Sequence, residues 1–148
     1  MHTYTSVALH VVFATKERRR SLTPEIRDHL FPYLGGIVRD QGGFPITIGG
    51  IEDHVHALFE ISAVAPISTI LRELKGSSSR WINENWPRKG FAWQRGYGAF
   101  SVSRSNRDAV IRYIDRQEEH HKKLTFEEEY VELLKAHGIA FESKWLWA

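Results

Sequence analysis

Apolar and polar residues alternate with a period of two in several stretches of the chain, and periods of three and four fill the gaps between them. Residues 4–13 put Val7, Leu9, Val11 and Phe13 on one strand face and Ser6, Ala8, His10 and Val12 on the other. Residues 44–50 are a short apolar, β-branched run, and Gly49-Gly50 separates it from a second alternating stretch, Ile51 to Ile61, so the two read as a hairpin. In that stretch Ile51, Val55, Ala57, Phe59 and Ile61 share one face, and Glu52, His54, His56, Leu58 and Glu60 share the other. Tyr97 to Ser103 reads as a fourth strand.

Helical spacing lies between these strands. Thr23-Pro24-Glu25 combines a capping hydroxyl with proline at the first helical position, and Ile26, Leu30, Leu34 and Ile37 continue the stripe. Pro32 and Gly35-Gly36 are expected to kink or weaken that helix, and Gly42-Gly43 to end it. Pro66 opens a second helix with Ile67, Ile70, Leu71, Leu74, Trp81 and Ile82 on its buried stripe. Ser105 is a cap candidate for a third, in which Val110, Ile111 and Ile114 face the core. Ala109, Tyr113, Gln117 and His120 or His121 form the adjacent stripe. Thr125 to Glu128 is a capping box for a last helix ended by Gly138. The tail carries Phe141, Trp145 and Trp147, large apolar residues expected to dock on this subunit or a partner. The order β-α-β-β-α-β, followed by further helices, predicts an α+β, ferredoxin-like (RRM-like) antiparallel sheet forming one domain over residues 1–148. The first and third strands are central neighbours in that arrangement, which puts His10 beside His54 and His56.

Composition narrows the picture without naming a function. With 148 residues and ordinary hydrophobic and charged fractions, the chain is long enough for a real core. It has no cysteine, which fits a reducing cytoplasm, and no apolar run near the roughly 20 residues that span a bilayer. The net charge of +2 is too small to argue for nucleic acid, but its distribution is uneven. Lys16, Arg18, Arg19 and Arg20 crowd the end of the first strand, and Arg72 and Lys75 lie on a polar face of the second helix. Trp93, Arg95 and Tyr97 interleave aromatics with charge, a pattern suited to stacking on unpaired bases and equally to anchoring a loop.

His54 and His56 project together from one strand face and make half of a metal site, since neutral imidazole is the commonest protein ligand for divalent ions. A nearby tyrosine would be a nucleophile beside a Lewis acid, and phenol needs such help because its pKa is near ~10. Mg²⁺ prefers oxygen ligands and Mn²⁺ tolerates imidazole better, so a set of two histidines and an amide oxygen leaves the choice between them open.

Asp53-His54-Val55-His56 resembles the histidine-hydrophobic-histidine motif of the HUH endonuclease superfamily. Tyr113-Ile114-Asp115-Arg116-Gln117 resembles the tyrosine-bearing helix of its single-tyrosine transposases, encoded by small insertion sequences. Ala8 to Lys16 is similar to that family's opening strand, and Trp93 to Tyr97 to the segment before its fourth strand. The resemblance implies that Tyr113 is the nucleophile and that His54, His56 and Gln117 hold Mg²⁺ or Mn²⁺, with His10, Glu52 and Asp53 as supporting neighbours. It implies cleavage of single-stranded DNA near a hairpin through a 5′-phosphotyrosine link, then strand transfer, by a homodimer. REP-associated tyrosine transposases, domesticated relatives acting on repeated palindromes, share the pattern. A histidine-triad hydrolase would need a third histidine where Leu58 stands. A non-catalytic module binding single strands would use Trp93, Tyr97 and the basic loops, but it leaves the two residue pairs unexplained.

Overall fold

The computed structural model describes residues 1–148. Strands β1 (Ala8–Ala14), β2 (Phe44–Ile51), β3 (His54–Glu60) and β4 (Gly98–Val102) form one sheet in the order β2-β3-β1-β4. Every neighbouring pair is antiparallel, so the arrangement is ferredoxin-like. Helices α1 (Pro24–Asp40) and α2 (Ile67–Asn85) cover one face, against Leu9, Val11, Phe13, Val55, Ala57 and Phe59. The opposite face carries Ala8, His10, Val12, His54, His56, Leu58 and Phe100. It lies beneath α3 (Arg107–Asp115) and α5 (Phe126–Ala136), which follow β4 and flank the short α4 (Gln117–His120). A last turn, α6 (Ser143–Leu146), closes the chain. No helix is long and apolar enough to cross a membrane.

The alternation in β1 and β3 decides which side chains meet helices α1 and α2 and which meet α3 and α5. Val12 pairs with His56 and Ala14 with His54, so the histidines sit at the centre of the sheet. His10 pairs with Leu58 and is therefore a diagonal neighbour of His56, whose ring stacks on it with centroids 5.0 Å apart. Gly49 pairs with His56 from the other side and faces α3 directly. A Cβ built there would meet the carbonyl oxygen of Ile114 at 2.6 Å, so the missing side chain lets the end of α3 rest on β2. Gly49→Ala is expected to displace that end at a cost of about 1–3 kcal/mol, the usual range for overpacking, measurable by denaturant unfolding.

Several expectations need correction. The hairpin between β2 and β3 turns at Glu52-Asp53, and Gly49-Gly50 lies inside β2, paired with His56 and Val55. β1 starts at Ala8, because its partners end at Glu60 and Val102. Helix α1 runs through Pro32 unbroken. Leu30, Leu34 and Val38 are almost wholly buried, and about 1.5–3 kcal/mol for each outweighs the roughly 3 kcal/mol that proline costs. Ser105 caps nothing: its hydroxyl bonds Ser103 within a 3₁₀ turn, Arg104–Asn106, and α3 starts at Arg107. Ile67 is exposed. In the tail Phe141 packs on the cluster around Val12, Phe100 and Phe126, Trp147 stands against Phe126 and Tyr130, and Trp145 stays exposed. The capping box at Thr125 and Glu128 forms with both reciprocal hydrogen bonds, as the sequence predicts.

Candidate active site

Three elements converge above the middle of the sheet. Strand β3 presents His54 and His56, both with no exposed surface. Helix α3 presents Tyr113, and Gln117 follows after a break at Arg116, four residues on and still on the same side. Helix α5 contributes Glu129, 1% exposed. Its cap at Thr125 sets the phase, so that Phe126, Glu129, Tyr130 and Leu133 form the stripe facing the sheet. His121, at the end of α4, completes the ring of groups.

Glu129 is the hub. Its Oε1 lies 3.2 Å from His54 Nε2, 3.0 Å from His56 Nε2 and 3.1 Å from His121 Nε2. Its Oε2 accepts from the Tyr113 hydroxyl and, at 3.0 Å, from Gln117 Nε2. Gln117 Oε1 faces the same centre, 2.8 Å from His54 Nε2 and 3.1 Å from His121 Nε2. An ionised carboxylate only accepts, so His56 Nε2 carries a hydrogen, leaving its Nδ1 to accept from His10 Nε2 at 2.7 Å. On the far side of His54, Nδ1 lies 2.7 Å from Asp53 Oδ1.

Burial by itself lowers the His54 pKa, but hydrogen bonds to Asp53 and Glu129 outweigh it and raise the value to about 9. His56 goes the other way: burial dominates and brings it to about 4. Burial likewise lowers His10 to about 3. Burial alone would raise the Glu129 carboxyl, yet hydrogen bonds from His121, His54 and His56 hold it far below the ordinary range. The Tyr113 hydroxyl is pushed above its ordinary value by burial and by the adjacent Glu129 charge. The site therefore holds an anionic carboxylate beside a protonated His54 and a neutral phenol.

The donor chemistry fits a divalent ion. His54 and His56 turn their Nε2 atoms inward; Asp53 holds the Nδ1 of His54, the carboxylate–histidine arrangement that orients imidazole ligands in metal sites, and His10 fixes the ring of His56. Ligand atoms of His54, His121 and Glu129 lie within 4.8 Å of one another.

Around this centre the other expected residues fall in different places. Glu52 points away, 3.8 Å from Arg27. Trp93 packs edge-on against Phe13 and Phe91 and donates from Nε1 to Ser78, so it anchors its loop to the core. Lys75 donates to the carbonyls of Gln94 and Gly96, clipping the same loop, and burial lowers its pKa. Arg18 is ion-paired with Glu127 at 2.8 Å and lies over the Trp147 ring. Arg19 pairs with Glu17, and Lys16, Arg20, Arg72, Arg95 and Tyr97 are exposed. Arg18 and Arg20 border a groove of about 440 Å³ with Asp53, His121, Lys122 and Lys123, which opens onto one side of the cluster. On the other side a cavity of about 320 Å³, lined by His10, Ser101, Asn106, Tyr113 and His137, reaches the tyrosine. Glu129 escaped the sequence reading. Its signal was an acid on the apolar stripe of a well-capped helix.

Residues 3–117 match the family described as "Transposase IS200 like". The chain belongs to this family. The matched span of this IS200-like transposase includes His10, His54, His56, Tyr113 and Gln117, and stops short of His121 and Glu129. It is 29% identical over 114 residues to the ISDra2 transposase TnpA of Deinococcus radiodurans, covering 73% of this chain and 81% of that protein. It is 29% identical over 127 residues to the transposase for insertion sequence element IS200 of Salmonella typhimurium, covering 82% and 83%. Its fold is similar to a crystal structure described as a "putative transposase from deinococcus radiodurans", with TM-score 0.66 and 26% identity over 79% of this chain and 95% of the other. It also resembles the REP-associated tyrosine transposase solved bound to a REP hairpin, with TM-score 0.62 and 15% identity over 84% and 74%.

Proposed function

We propose that this transposase cuts single-stranded DNA beside a hairpin and transfers the strand, with Tyr113 as the nucleophile. One observation carries the reading: the Tyr113 hydroxyl bonds the same carboxylate that receives His54 and His56. In this mechanism the Tyr113 oxygen forms a bond to the scissile phosphorus and the bond to the 3′ oxygen breaks. The tyrosine proton passes to Glu129 Oε2, which releases it to solvent, and the departing 3′ oxygen takes a proton from solvent and leaves as a hydroxyl. The product is a 5′-phosphotyrosine link, which a second 3′-hydroxyl resolves during strand transfer. His54, His56 and Gln117 would hold Mg²⁺ or Mn²⁺, which supplies Lewis acidity toward the phosphodiester oxygens. Asp53 and His10 orient the two imidazoles. Arg18 and Arg20, together with Lys122 and Lys123, offer the groove through which the backbone approaches, and exposed Arg72, Arg95 and Tyr97 extend the DNA surface.

A homodimer would bring two DNA ends together. In this chain Tyr113 stands edge-on to His56 of its own subunit. The test is a hairpin-bearing single strand incubated with the protein and Mn²⁺ or Mg²⁺, then run on a denaturing gel. A covalent adduct that disappears with EDTA is expected. Binding without any adduct would overturn the reading in favour of a non-catalytic binding module.

A further inference from the structure

We propose that Glu129 is itself a metal ligand, and that its two oxygens tether the ion to the nucleophile. Oε1 would join His54, His56, Gln117 and His121 around the ion, while Oε2 holds the Tyr113 hydroxyl. The inference rests on the metal-assisted tyrosine reading and adds residues beyond the family match, which ends at Gln117.

Three features of the chain carry it. First, Glu129 Oε1 is met by three imidazole Nε2 atoms at 3.0–3.2 Å, and the ligand atoms of His54, His121 and Glu129 lie within 4.8 Å of one another. Second, His121 is oriented in the same way as the two strand histidines. Its Nδ1 donates to the Leu124 carbonyl at 2.9 Å, and its Nε2 points inward. In all three rings a neighbour holds the far nitrogen, and Nε2 turns toward one common partner, Glu129 Oε1. Third, Glu129 is buried on an apolar stripe with no lysine or arginine beside it. Buried carboxylates are retained where they are paired or coordinate a metal, and here every partner belongs to the site. Two imidazoles and an amide leave a divalent ion its full charge. A carboxylate ligand reduces that charge and adds a hard oxygen donor, which strengthens the grip on Mn²⁺ or Mg²⁺.

The alternative is a purely structural anchor, in which Glu129 only neutralises the buried histidines. Titration of Mn²⁺ into the metal-free protein, followed by calorimetry and by the electron paramagnetic resonance signal of free Mn²⁺, separates the two without any turnover. Glu129→Gln is expected to weaken Mn²⁺ binding about 100-fold or more, at or beyond the upper end of what losing an outer partner of a ligand costs. His121→Ala is expected to weaken it at least tenfold, and Tyr113→Phe to leave it within threefold of wild type. Should Glu129→Gln fail to fold, Glu129→Asp decides, because it keeps the charge but retracts the oxygens by one methylene; it is expected to bind Mn²⁺ at least tenfold more weakly. A folded Glu129→Gln, or failing that Glu129→Asp, that binds Mn²⁺ within threefold of wild type would overturn the inference and leave the tyrosine reading standing. An adduct that persists in Tyr113→Phe would overturn the tyrosine reading without touching the titration.

Discussion

Tyr113→Phe is expected to abolish the covalent protein–DNA adduct completely while leaving hairpin binding unchanged. The substitution removes one oxygen and keeps the ring. That ring stacks on His120 with centroids 4.6 Å apart and stands edge-on to His56 at 5.8 Å, so the local packing survives. The hydroxyl's bond to Glu129 is lost, and a hydrogen bond to a charged group contributes about 1.5–3 kcal/mol. Gln117 Nε2 still donates to the same oxygen, which keeps the buried carboxylate partnered. Destabilisation should therefore stay within that range, and any larger loss of adduct is chemical in origin. A denaturing gel reads the adduct, a mobility-shift titration reads binding, and thermal unfolding checks the fold. Equal adduct in wild type and Tyr113→Phe would mean that another side chain attacks.

The second large effect concerns His54 in the metal-free protein. Its pKa rises from 6.5 to about 9 because Asp53 and Glu129 both accept from the ring. A raised folded-state pKa means that the stabilisation is fully present below the unfolded value of 6.5 and is lost as pH climbs through about 9. A difference of that size corresponds to a few kcal/mol, on the order of 3. Thermal unfolding in EDTA should thus show the melting temperature falling between pH 7 and pH 10. His54→Ala should show a low value already at pH 7, since removing one partner of a buried ion pair costs about 3–5 kcal/mol, and little further fall to pH 10. It should also form no adduct, having lost a proposed ligand. A wild-type melting temperature that stays level from pH 7 to pH 10 would show that His54 is not the imidazolium of the cluster.

How legible the molecule was depends on which physical signal each part left in the chain. The sheet and its two covering helices were readable because Leu9, Val11 and Phe13, and likewise Val55, Ala57 and Phe59, alternate cleanly and are buried together. The turn between β2 and β3 was misplaced because two glycines mimic a hairpin loop. They serve instead as a bare patch under Ile114 and a tight passage beside His54. Trp93 and Lys75 show the same ambiguity on the nucleic-acid side. An aromatic or a lysine near a loop suits a DNA surface by type, yet here one packs on Phe13 and Phe91 and the other holds two carbonyls. Glu129 was missed for a different reason. Three acids in a row after a capping threonine look like ordinary favourable charge at a helix start, and only the phase of α5 singles out the third.

By itself the chain's periodicity determined the strand face shared by His10, His54 and His56, the four-residue interval from Tyr113 to Gln117, and the cap that phases α5. Most of these are relations over a few residues of backbone; only the joining of His10's strand to the strand of His54 and His56 also needs the strand order. Only the tertiary structure decided that a carboxylate from α5 and an imidazole from α4 would stand between the tyrosine and the strand histidines. That meeting depends on how closely α3 settles on Gly49 and how α5 packs over Val12 and Phe100. Such docking is governed by contacts between residues far apart in sequence, and no local pattern encodes it.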